Sequence, residues 1–417
     1  MSEARTEAAA SWRTAGAADV GAGIAGAHVE LRSVRKTFGD VVAVDDLTIE
    51  VAKGSFTTIL GPSGCGKTTT LRLLAGFFDP DRGDVLIGGV RQNGVPPNRR
   101  NVSIVFQDYA LFPHMTVLQN VSYGLRLRRV SAAERERRVN NVLAFLGLDD
   151  LRARHPFELS GGQQQRVALG RSIVMEPDVL LMDEPLSNLD AKLRVRVRSE
   201  LTSIQRALGI TTIYVTHDQD EALSLSDRVA VMADGRLQQY SEPWQLYHAP
   251  VNRFVAEFVG VANVLPGHAR STHDGVATVR LAGREQGGLR CLDPGGRASP
   301  GTRVGVMVRP EWFAVEEAGT TATAAAPGTA TSAATGAGTD AATAAGAGAA
   351  TGLTLEGEVL TRSFQGAFGR AWVRVADVSE PLVIDTPLTR RDQLESGTRV
   401  RLRVQHERAV VVEEAPA

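Results

Sequence analysis

The stretch GPSGCGKTTT, residues 61–70, limits the folds open to this chain more than any other part of its sequence. It contains three glycines and one lysine before three threonines, and the preceding run SFTTIL is typical of a strand. A strand that ends in such a loop and continues as a helix exposes backbone N–H groups without partners, and these groups bind anions. The segment therefore predicts a phosphate site between this strand and a helix that begins at Lys67.

Residues Gly61 to Thr68 match the nucleotide-binding pattern GxxxxGK[ST]. In this pattern backbone amides wrap the phosphates of ATP, Lys67 neutralises charge on the β and γ groups, and Thr68 offers its hydroxyl to Mg²⁺. A chance glycine turn is the alternative, which the flanking strand and helix oppose. The residues expected at the nucleotide are Gly61, Pro62, Ser63, Gly64, Cys65, Gly66, Lys67, Thr68 and Thr69.

The run VLLMDEP supplies a second half of the same chemistry. Asp183 ends an apolar strand and is predicted to hold Mg²⁺, while Glu184 stands where a carboxylate can orient and polarise the attacking water. A pair of solvated acids at a strand end is the alternative. Such pairs are common, but the phosphate loop upstream favours the catalytic interpretation.

The periodicity of the first 235 or so residues predicts an α/β domain preceded by a small antiparallel β subdomain. HVELRSVRKTF and VVAVDDLTIEV alternate apolar and polar residues, as antiparallel strands do. DVLLMDEP, TTIYVTHD and RVAVM are compact apolar runs that indicate buried parallel strands. Helices are predicted at 131–146, 161–175 and 191–208.

Composition changes along the chain predict four segments. Residues 1–27 form a disordered tail rich in Ala and Gly, residues 28–243 the ATP-binding domain, residues 244–262 a helical linker, and residues 263–417 a β-rich domain. Within the last, 318–352 is a low-complexity disordered insertion whose only charged residue is Asp340.

The whole-chain composition argues against several classes of protein. The net charge is −1, which gives no electrostatic reason to expect nucleic acid binding. Cys65 and Cys291, the two cysteines, lack the spacing of a disulfide framework or zinc site, so a reducing cytosol is expected. No run approaches the 18 or so apolar residues of a membrane-spanning helix, and the N-terminus lacks the order of a secretion signal. Any membrane role is therefore expected to be peripheral.

LSGGQQQRVALGR, residues 159–171, is a second glycine-rich turn that leads into a helix, and hence a second anion site. One nucleotide cannot occupy both loops. The motif closely resembles the signature of the ATP-binding cassette (ABC) transporter ATPases. This resemblance implies a head-to-tail homodimer in which Ser160, Gly161, Gly162 and Gln163 of one subunit cover the ATP held by its partner. If the LSGGQ motif stood alone, the alternative interpretation would be an ordinary helix whose N-terminus is capped by Ser160.

Three further residues match, in type and in order along the chain, residues that are characteristic of the family. Phe38, in KTFGD, matches a ring that stacks on adenine, although Tyr is more usual there; a core Phe is the alternative. Gln107, in VFQDYALFPHMTV, matches the glutamine that reaches Mg²⁺ and water and links nucleotide state to the membrane partner. His217, in VTHDQDEAL, resembles the histidine that contacts the γ-phosphate. The alternatives are that Gln107 is an ordinary surface residue and that His217 has only a structural role.

The motif SNLDAKLR carries Asp190 and matches the loop that contacts the opposite subunit. Two positions depart from the family pattern. Asn188 replaces an expected Ala or Ser, and Gly170 replaces the common Ala of the signature helix. Both substitutions are small, so they would adjust the properties of the site and do not argue against membership of the family.

The last third of the chain resembles the small OB-like, or TOBE, β-barrel appended to importer ATPases for polyamines, iron(III), sugars, sulfate and phosphonates. The resemblance rests on ANVLPG, VRPE at 308–311 and GEVLTRSFQG at 357–366. This domain is expected to serve dimerisation or regulation rather than to contact substrate.

The resemblance implies an ATPase subunit of an ABC importer at the cytoplasmic face of the membrane. A homodimer would act on two permease subunits and, indirectly, with an extracytoplasmic solute-binding protein. Spermidine or putrescine is the favoured cargo, with iron(III), sugar, sulfate or phosphonate as alternatives. Two other classes stay open. Non-transport ABC ATPases usually carry a coiled-coil insertion or two cassettes, and a P-loop kinase has no use for the LSGGQ turn.

Overall fold

A computed structural model describes residues 27–283, 288–317, 354–387, 394–404 and 408–413. The chain divides into two compact units between Leu246 and Tyr247. All but the last residue of the predicted tail, 1–27, and the whole predicted insertion, 318–352, lie outside the described residues. The predicted domain limits stay predictions.

Strands and helices alternate through the first unit, and strands dominate the second. The strands are β1 (Ala27–Phe38), β2 (Val41–Ala52), β3 (Phe56–Leu60), β4 (Arg82–Ile87), β5 (Val90–Arg91), β6 (Val102–Val105), β7 (Val179–Asp183), β8 (Thr211–Thr216), β9 (Arg228–Ala233), β10 (Arg236–Ser241), β11 (Asn263–His273), β12 (Val276–Leu281), β13 (Leu289–Leu292), β14 (Arg303–Val308), β15 (Phe313–Glu317), β16 (Thr354–Phe364), β17 (Phe368–Val375), β18 (Leu382–Pro387), β19 (Arg399–Val404) and β20 (Val410–Val412). The helices are α1 (Lys67–Ala75), α2 (Val117–Leu127), α3 (Ala132–Leu146), α4 (Gly161–Ile173), α5 (Ala191–Leu208), α6 (Gln219–Leu225), α7 (Pro243–His248) and α8 (Arg253–Phe258).

An antiparallel sheet of order β2-β1-β4-β5 opens the first unit and confirms the predicted β subdomain. Its longest pairing joins β1 to β2, with Val29 opposite Val51 and Leu31 opposite Ile49. These four side chains are buried, so the period-two pattern of the sequence marks the face that packs on the core.

The main sheet of the first unit has the order β10-β9-β3-β8-β7-β6, and all neighbours except β10 and β9 are parallel. Strand β7 shows why its sequence is apolar throughout. Val179 and Leu181 belong to one hydrophobic cluster, whereas Leu180 and Met182 belong to another. Both faces of the strand are therefore covered, as expected for a parallel sheet in an α/β domain. This confirms the predicted fold class.

The parallel direction of these strands brings the predicted chemical residues to one edge of the sheet. Strand β3 leads into the phosphate loop, β7 ends at Asp183, β8 is followed by His217, and β6 is followed by Phe106 and Gln107. The carboxyl ends of adjacent parallel strands lie together, and ligands of open α/β sheets bind there.

The second unit is built of β-strands, as predicted, and contains a closed barrel and a separate sheet. The barrel has the order β11-β12-β13-β20-β14, and the sheet has the order β15-β19-β16-β17-β18. The sequence indicated one small barrel and did not distinguish this additional sheet, because alternation marks strands but not their partners. Among the described residues, no helix is long and apolar enough to cross a membrane.

Candidate nucleotide site

The phosphate loop is held in a shape that only a glycine-rich segment adopts easily. Gly66, just before α1, has φ +102°, and a Cβ there would lie 2.3 Å from the carbonyl oxygen of Ala43. The Lys67 ammonium is buried and donates to the carbonyl oxygens of Gly61 and Pro62, at 2.8 Å each. The lysine is thus folded across its own loop, at the start of a helix whose first N–H groups lack intrahelical acceptors.

The other residues of the predicted loop fall into two groups. Pro62, Ser63 and Gly64 are exposed, whereas Cys65 is buried and Thr69 is half-buried. Burial raises the pKa of the Cys65 thiol. This thiol is therefore poorly reactive, and any contribution of Cys65 to anion binding comes from its backbone.

Thr68 and Asp183 meet at the start of α1. The Thr68 hydroxyl donates to Asp183 Oδ1 over 3.2 Å. Burial raises the pKa of Asp183, and the bond from Thr68 opposes this shift in part. A nearby cation would stabilise a partly desolvated carboxylate. The carboxylate and the hydroxyl are also both oxygen ligands of the kind that Mg²⁺ prefers. The two residues therefore fit the predicted Mg²⁺ role.

Glu184 and His217 form a close pair at the ends of β7 and β8. Glu184 Oε2 lies 3.1 Å from His217 Nδ1, and the Glu184 N–H donates to the Val215 carbonyl oxygen over 3.0 Å. Glu184 has φ +44°, a left-handed conformation that costs free energy for a non-glycine residue. The imidazole is more open to solvent, with 59% of its side chain exposed against 20% for Glu184.

The SNLD turn, residues 187–190, is bonded to the Gln107 segment. Asn188 Nδ2 donates to the backbone carbonyl of Gln107 over 3.0 Å. An alanine at 188 would lack this donor, which gives the departure from the family pattern a physical reason. Asp190 Oδ1 accepts from the N–H of Leu193 at 2.9 Å and so caps α5. Its predicted contact with a second subunit stays a prediction, as does the role of the exposed Gln107 side chain.

The signature turn, residues 160–163, begins α4. The N–H of Ser160 donates to Gln163 Oε1 over 2.8 Å, which organises the first turn of the helix. A Cβ on Gly161 would lie 2.9 Å from Leu189 Cδ2, so this glycine allows the SNLD turn to pack closely. Over the part of the chain that the structure describes, the signature turn makes no hydrogen bond or ion pair to the phosphate loop.

Phe38 lies at the exposed end of β1 and is not a core residue. Its side chain is 43% exposed, and its ring meets Phe78 edge-on at 5.1 Å. Asp81 fixes this strand end, because its carboxylate accepts from the N–H and hydroxyl of Thr37 and from the ammonium of Lys36. These bonds lower the pKa of Asp81 to about 2, so the anchor persists at physiological pH.

We expect Phe38→Ala to raise the KM for ATP and to leave kcat nearly unchanged, since a ring that stacks on adenine binds ground and transition states equally. Base stacking is worth about 1–3 kcal/mol, which corresponds to a KM roughly 5- to 150-fold higher. Steady-state ATPase kinetics would measure the change. Phe38→Tyr should retain the wild-type KM, as should Phe364→Ala, which removes a ring that is 72% exposed in the second unit. An unchanged KM for Phe38→Ala would contradict the adenine contact.

The sequence patterns did not reveal a partly buried group of charges behind His217. Arg194 and Arg198 of α5 reach Asp218 and Glu221, which follow His217. The available signal was weak: two arginines four residues apart in one segment, and two acids three residues apart in another. Neither pattern identifies its partner.

Comparison with family models gives two matches. A model described as ABC transporter matches residues 44–187, and a model described as TOBE domain matches residues 306–412. The first range contains the phosphate loop, the signature turn and the end of β7, and the second covers most of the strands of the second unit.

Curated relatives include three import ATP-binding proteins. The spermidine/putrescine import ATP-binding protein PotA of Rubrobacter xylanophilus is 50% identical over 298 residues, 71% of this chain and 78% of the relative. The Fe(3+) ions import ATP-binding protein FbpC of Rhizobium etli is 52% identical over 255 residues, 61% of this chain and 72% of the relative. The xylose/arabinose import ATP-binding protein XacJ of Haloferax volcanii is 56% identical over 234 residues, 56% of this chain and 61% of the relative.

Proposed function

The chain belongs to the ATP-binding cassette ATPases of ABC transporters, as an importer ATPase subunit with a C-terminal TOBE domain, and we propose that two copies of it drive polyamine uptake. It is an ATP-binding enzyme that hydrolyses ATP to ADP and phosphate. One observation carries the proposal of a dimer. A single chain holds two glycine-rich helix starts, at 61–69 and 160–163, without a bond between them in the described residues.

In the proposed site the phosphate loop and Phe38 hold one ATP. The Lys67 ammonium would exchange the carbonyl oxygens of Gly61 and Pro62 for phosphate oxygens, which bear full negative charge and are stronger acceptors. Thr68 and Asp183 would hold Mg²⁺, with help from Gln107. When bound, this ion neutralises charge on the β- and γ-phosphates.

Hydrolysis depends on the Glu184 and His217 pair. Glu184 would accept a proton from the attacking water, and its fixed backbone at the end of β7 restricts where the carboxylate can lie. His217 lies within hydrogen-bonding distance of that carboxylate, so it can orient Glu184 and contact the γ-phosphate. Lys67 would stabilise the charge that spreads over the transferred group.

Dimer closure would complete each site. Ser160, Gly161, Gly162 and Gln163 of one subunit would donate to the γ-phosphate held by the other, and Asp190 would lie at the shared boundary. Because ADP lacks the γ-phosphate, these contacts favour the closed state only with ATP. Gln107 would transmit that difference to two permease subunits at the cytoplasmic face of the membrane, which receive solute from an extracytoplasmic binding protein.

The extent of similarity supports a polyamine as cargo. Over comparable lengths, the spermidine/putrescine relative is 50% identical (71% of this chain) and the Fe(3+) ions import ATP-binding protein of Fusobacterium nucleatum is 45% identical (70% of this chain). The xylose/arabinose relative aligns with 56% of this chain and the iron relative of Rhizobium etli with 61%. Iron(III) is the second candidate, because that relative is 52% identical over its aligned residues. The ATPase does not need to contact the solute, so transport must be measured in the assembled complex.

We expect the full complex, reconstituted in vesicles with its permease and binding protein, to show ATPase activity that spermidine stimulates. Spermidine-loaded binding protein should also drive uptake of labelled spermidine, while Fe³⁺ and xylose should have no effect. Stimulation by Fe³⁺ alone would reassign the cargo. ATP hydrolysis without any permease association would contradict an importer role.

A further inference from the structure

We infer that Arg194 is a positioning residue that joins the SNLD turn to the loop of His217, so that contact at the dimer boundary sets the placement of the catalytic pair. This inference rests on the proposed function, because it requires the SNLD turn to face a second subunit. Arg194 itself contacts neither nucleotide nor reacting atoms in this role; it acts through His217.

The guanidinium of Arg194 bridges two segments that are distant in sequence. Its Nη2 donates to the backbone carbonyl of Leu189 over 3.2 Å, and its Nη1 donates to Asp218 Oδ2 over 3.2 Å. Leu189 precedes Asp190 in the SNLD turn, and Asp218 follows His217. One rigid, planar group therefore fixes the separation of the two loops.

The charges of this cluster explain why the arginine stays in place. Asp218 also receives Arg198 Nη2 at 3.4 Å, and Arg194 Nε lies 3.8 Å from Glu221 Oε1. Glu221 has only 4% of its side chain exposed, so its charge requires nearby cations. The Nε atoms of Arg194 and Arg198 are buried and lack a hydrogen-bond acceptor within the described residues. Asp218 is thus hydrogen-bonded to both guanidinium groups, whereas Glu221 is held near them by charge, at 3.8 and 4.0 Å.

A second set of hydrogen bonds connects this cluster to the residues on either side of His217. Glu221 Oε2 accepts from the hydroxyls of Tyr214 and Thr216, at 2.7 and 2.8 Å. Thr216 Oγ1 in turn accepts from the N–H of Asp218 at 3.0 Å. His217 is therefore held on both sides, by residues 216 and 218, while its Nδ1 lies 3.1 Å from Glu184 Oε2.

The opposite end of the link touches the signature turn. Leu189, whose carbonyl accepts from Arg194, also packs beside Gly161, where a Cβ would lie 2.9 Å from Leu189 Cδ2. Because this packing leaves little free space, a displacement of the signature turn or the SNLD turn on dimer closure must move Leu189. Arg194 would pass that movement to Asp218 and so to His217.

The test is Arg194→Lys in the full-length chain, because an ammonium cannot span both acceptors as the guanidinium fork does. We expect kcat for ATP hydrolysis to fall about 10-fold or more, with KM for ATP unchanged, since loss of the bridge would displace His217 and Glu184 from the geometry that the transition state requires. Arg198→Lys should reduce kcat less, because Arg198 reaches Asp218 but not Leu189. Arg196→Lys, an exposed change on the same helix, is the matched control and should behave as wild type.

A double variant separates positioning through His217 from a general structural defect. If Arg194 acts through His217, Arg194→Lys/His217→Ala should have the kcat of His217→Ala alone. Additive losses, or a kcat for Arg194→Lys equal to that of wild type, would overturn the inference. The proposed function is tested separately by the wild-type chain: failure of ATP to dimerise it would reject the proposed dimer, whatever the Arg194 variants do.

Discussion

Glu184→Gln is expected to bind ATP, to accumulate as an ATP-bound dimer and to lose about 10²- to 10⁴-fold in kcat, the usual contribution of a general base. Glutamine preserves the shape of the side chain and can still accept a hydrogen bond from His217 Nδ1, which lies 3.1 Å from the carboxylate. It cannot take a proton from water. The substitution also removes a negative charge near the γ-phosphate, so the closed dimer should persist.

Two measurements check this result: phosphate release under saturating ATP, and the size of the protein with and without ATP. Asp220→Asn is the matched control, because it removes one negative charge from an exposed residue close to His217 in sequence. It should turn over ATP at the wild-type rate. An ATP-independent monomer of Glu184→Gln, or normal turnover, would contradict the role proposed for Glu184.

The parts of the site that could be predicted from sequence are those fixed by short segments. The phosphate loop depends on a strand, a glycine turn and a helix start within residues 56–67. The position of Asp183 depends on an apolar run whose two faces are both buried. Because parallel strands end at one edge of a sheet, the segments that follow β3, β6, β7 and β8 could be expected to meet.

The parts that could not be predicted depend on contacts between distant segments. The bond from Asn188 to Gln107 joins residues 81 positions apart, and an asparagine in a turn carries no sign of its partner. Arg194 could equally have formed an ordinary helix-surface pair with a neighbouring acid. The left-handed backbone of Glu184 is also invisible in sequence, because this strained conformation persists only where the surrounding fold requires it.

Mixtures of two inactive variants provide the most direct test of a site shared between subunits. Lys67→Ala destroys the phosphate loop and leaves the signature turn intact, whereas Ser160→Arg does the reverse, because a large side chain blocks the helix start. Each variant alone should lose about 10²-fold or more in ATPase rate. A mixed dimer, however, pairs the intact loop of one chain with the intact turn of the other and so regains one complete site.

After subunit exchange, half of the dimers in an equal mixture are mixed, so the rate should recover to about a quarter of the wild-type value if sites act independently. The control mixes wild type with Lys67→Ala/Ser160→Arg. There each mixed dimer lacks a complete site, and the rate should fall to about a quarter rather than to the half expected for sites confined to one chain. If co-purification of differently tagged subunits establishes exchange, while the first mixture stays inactive and the control stays at half, each chain completes its own site and the shared-site mechanism is wrong. Recovery would place Ser160 of one subunit at the ATP of its partner, because neither variant alone contains both functional halves.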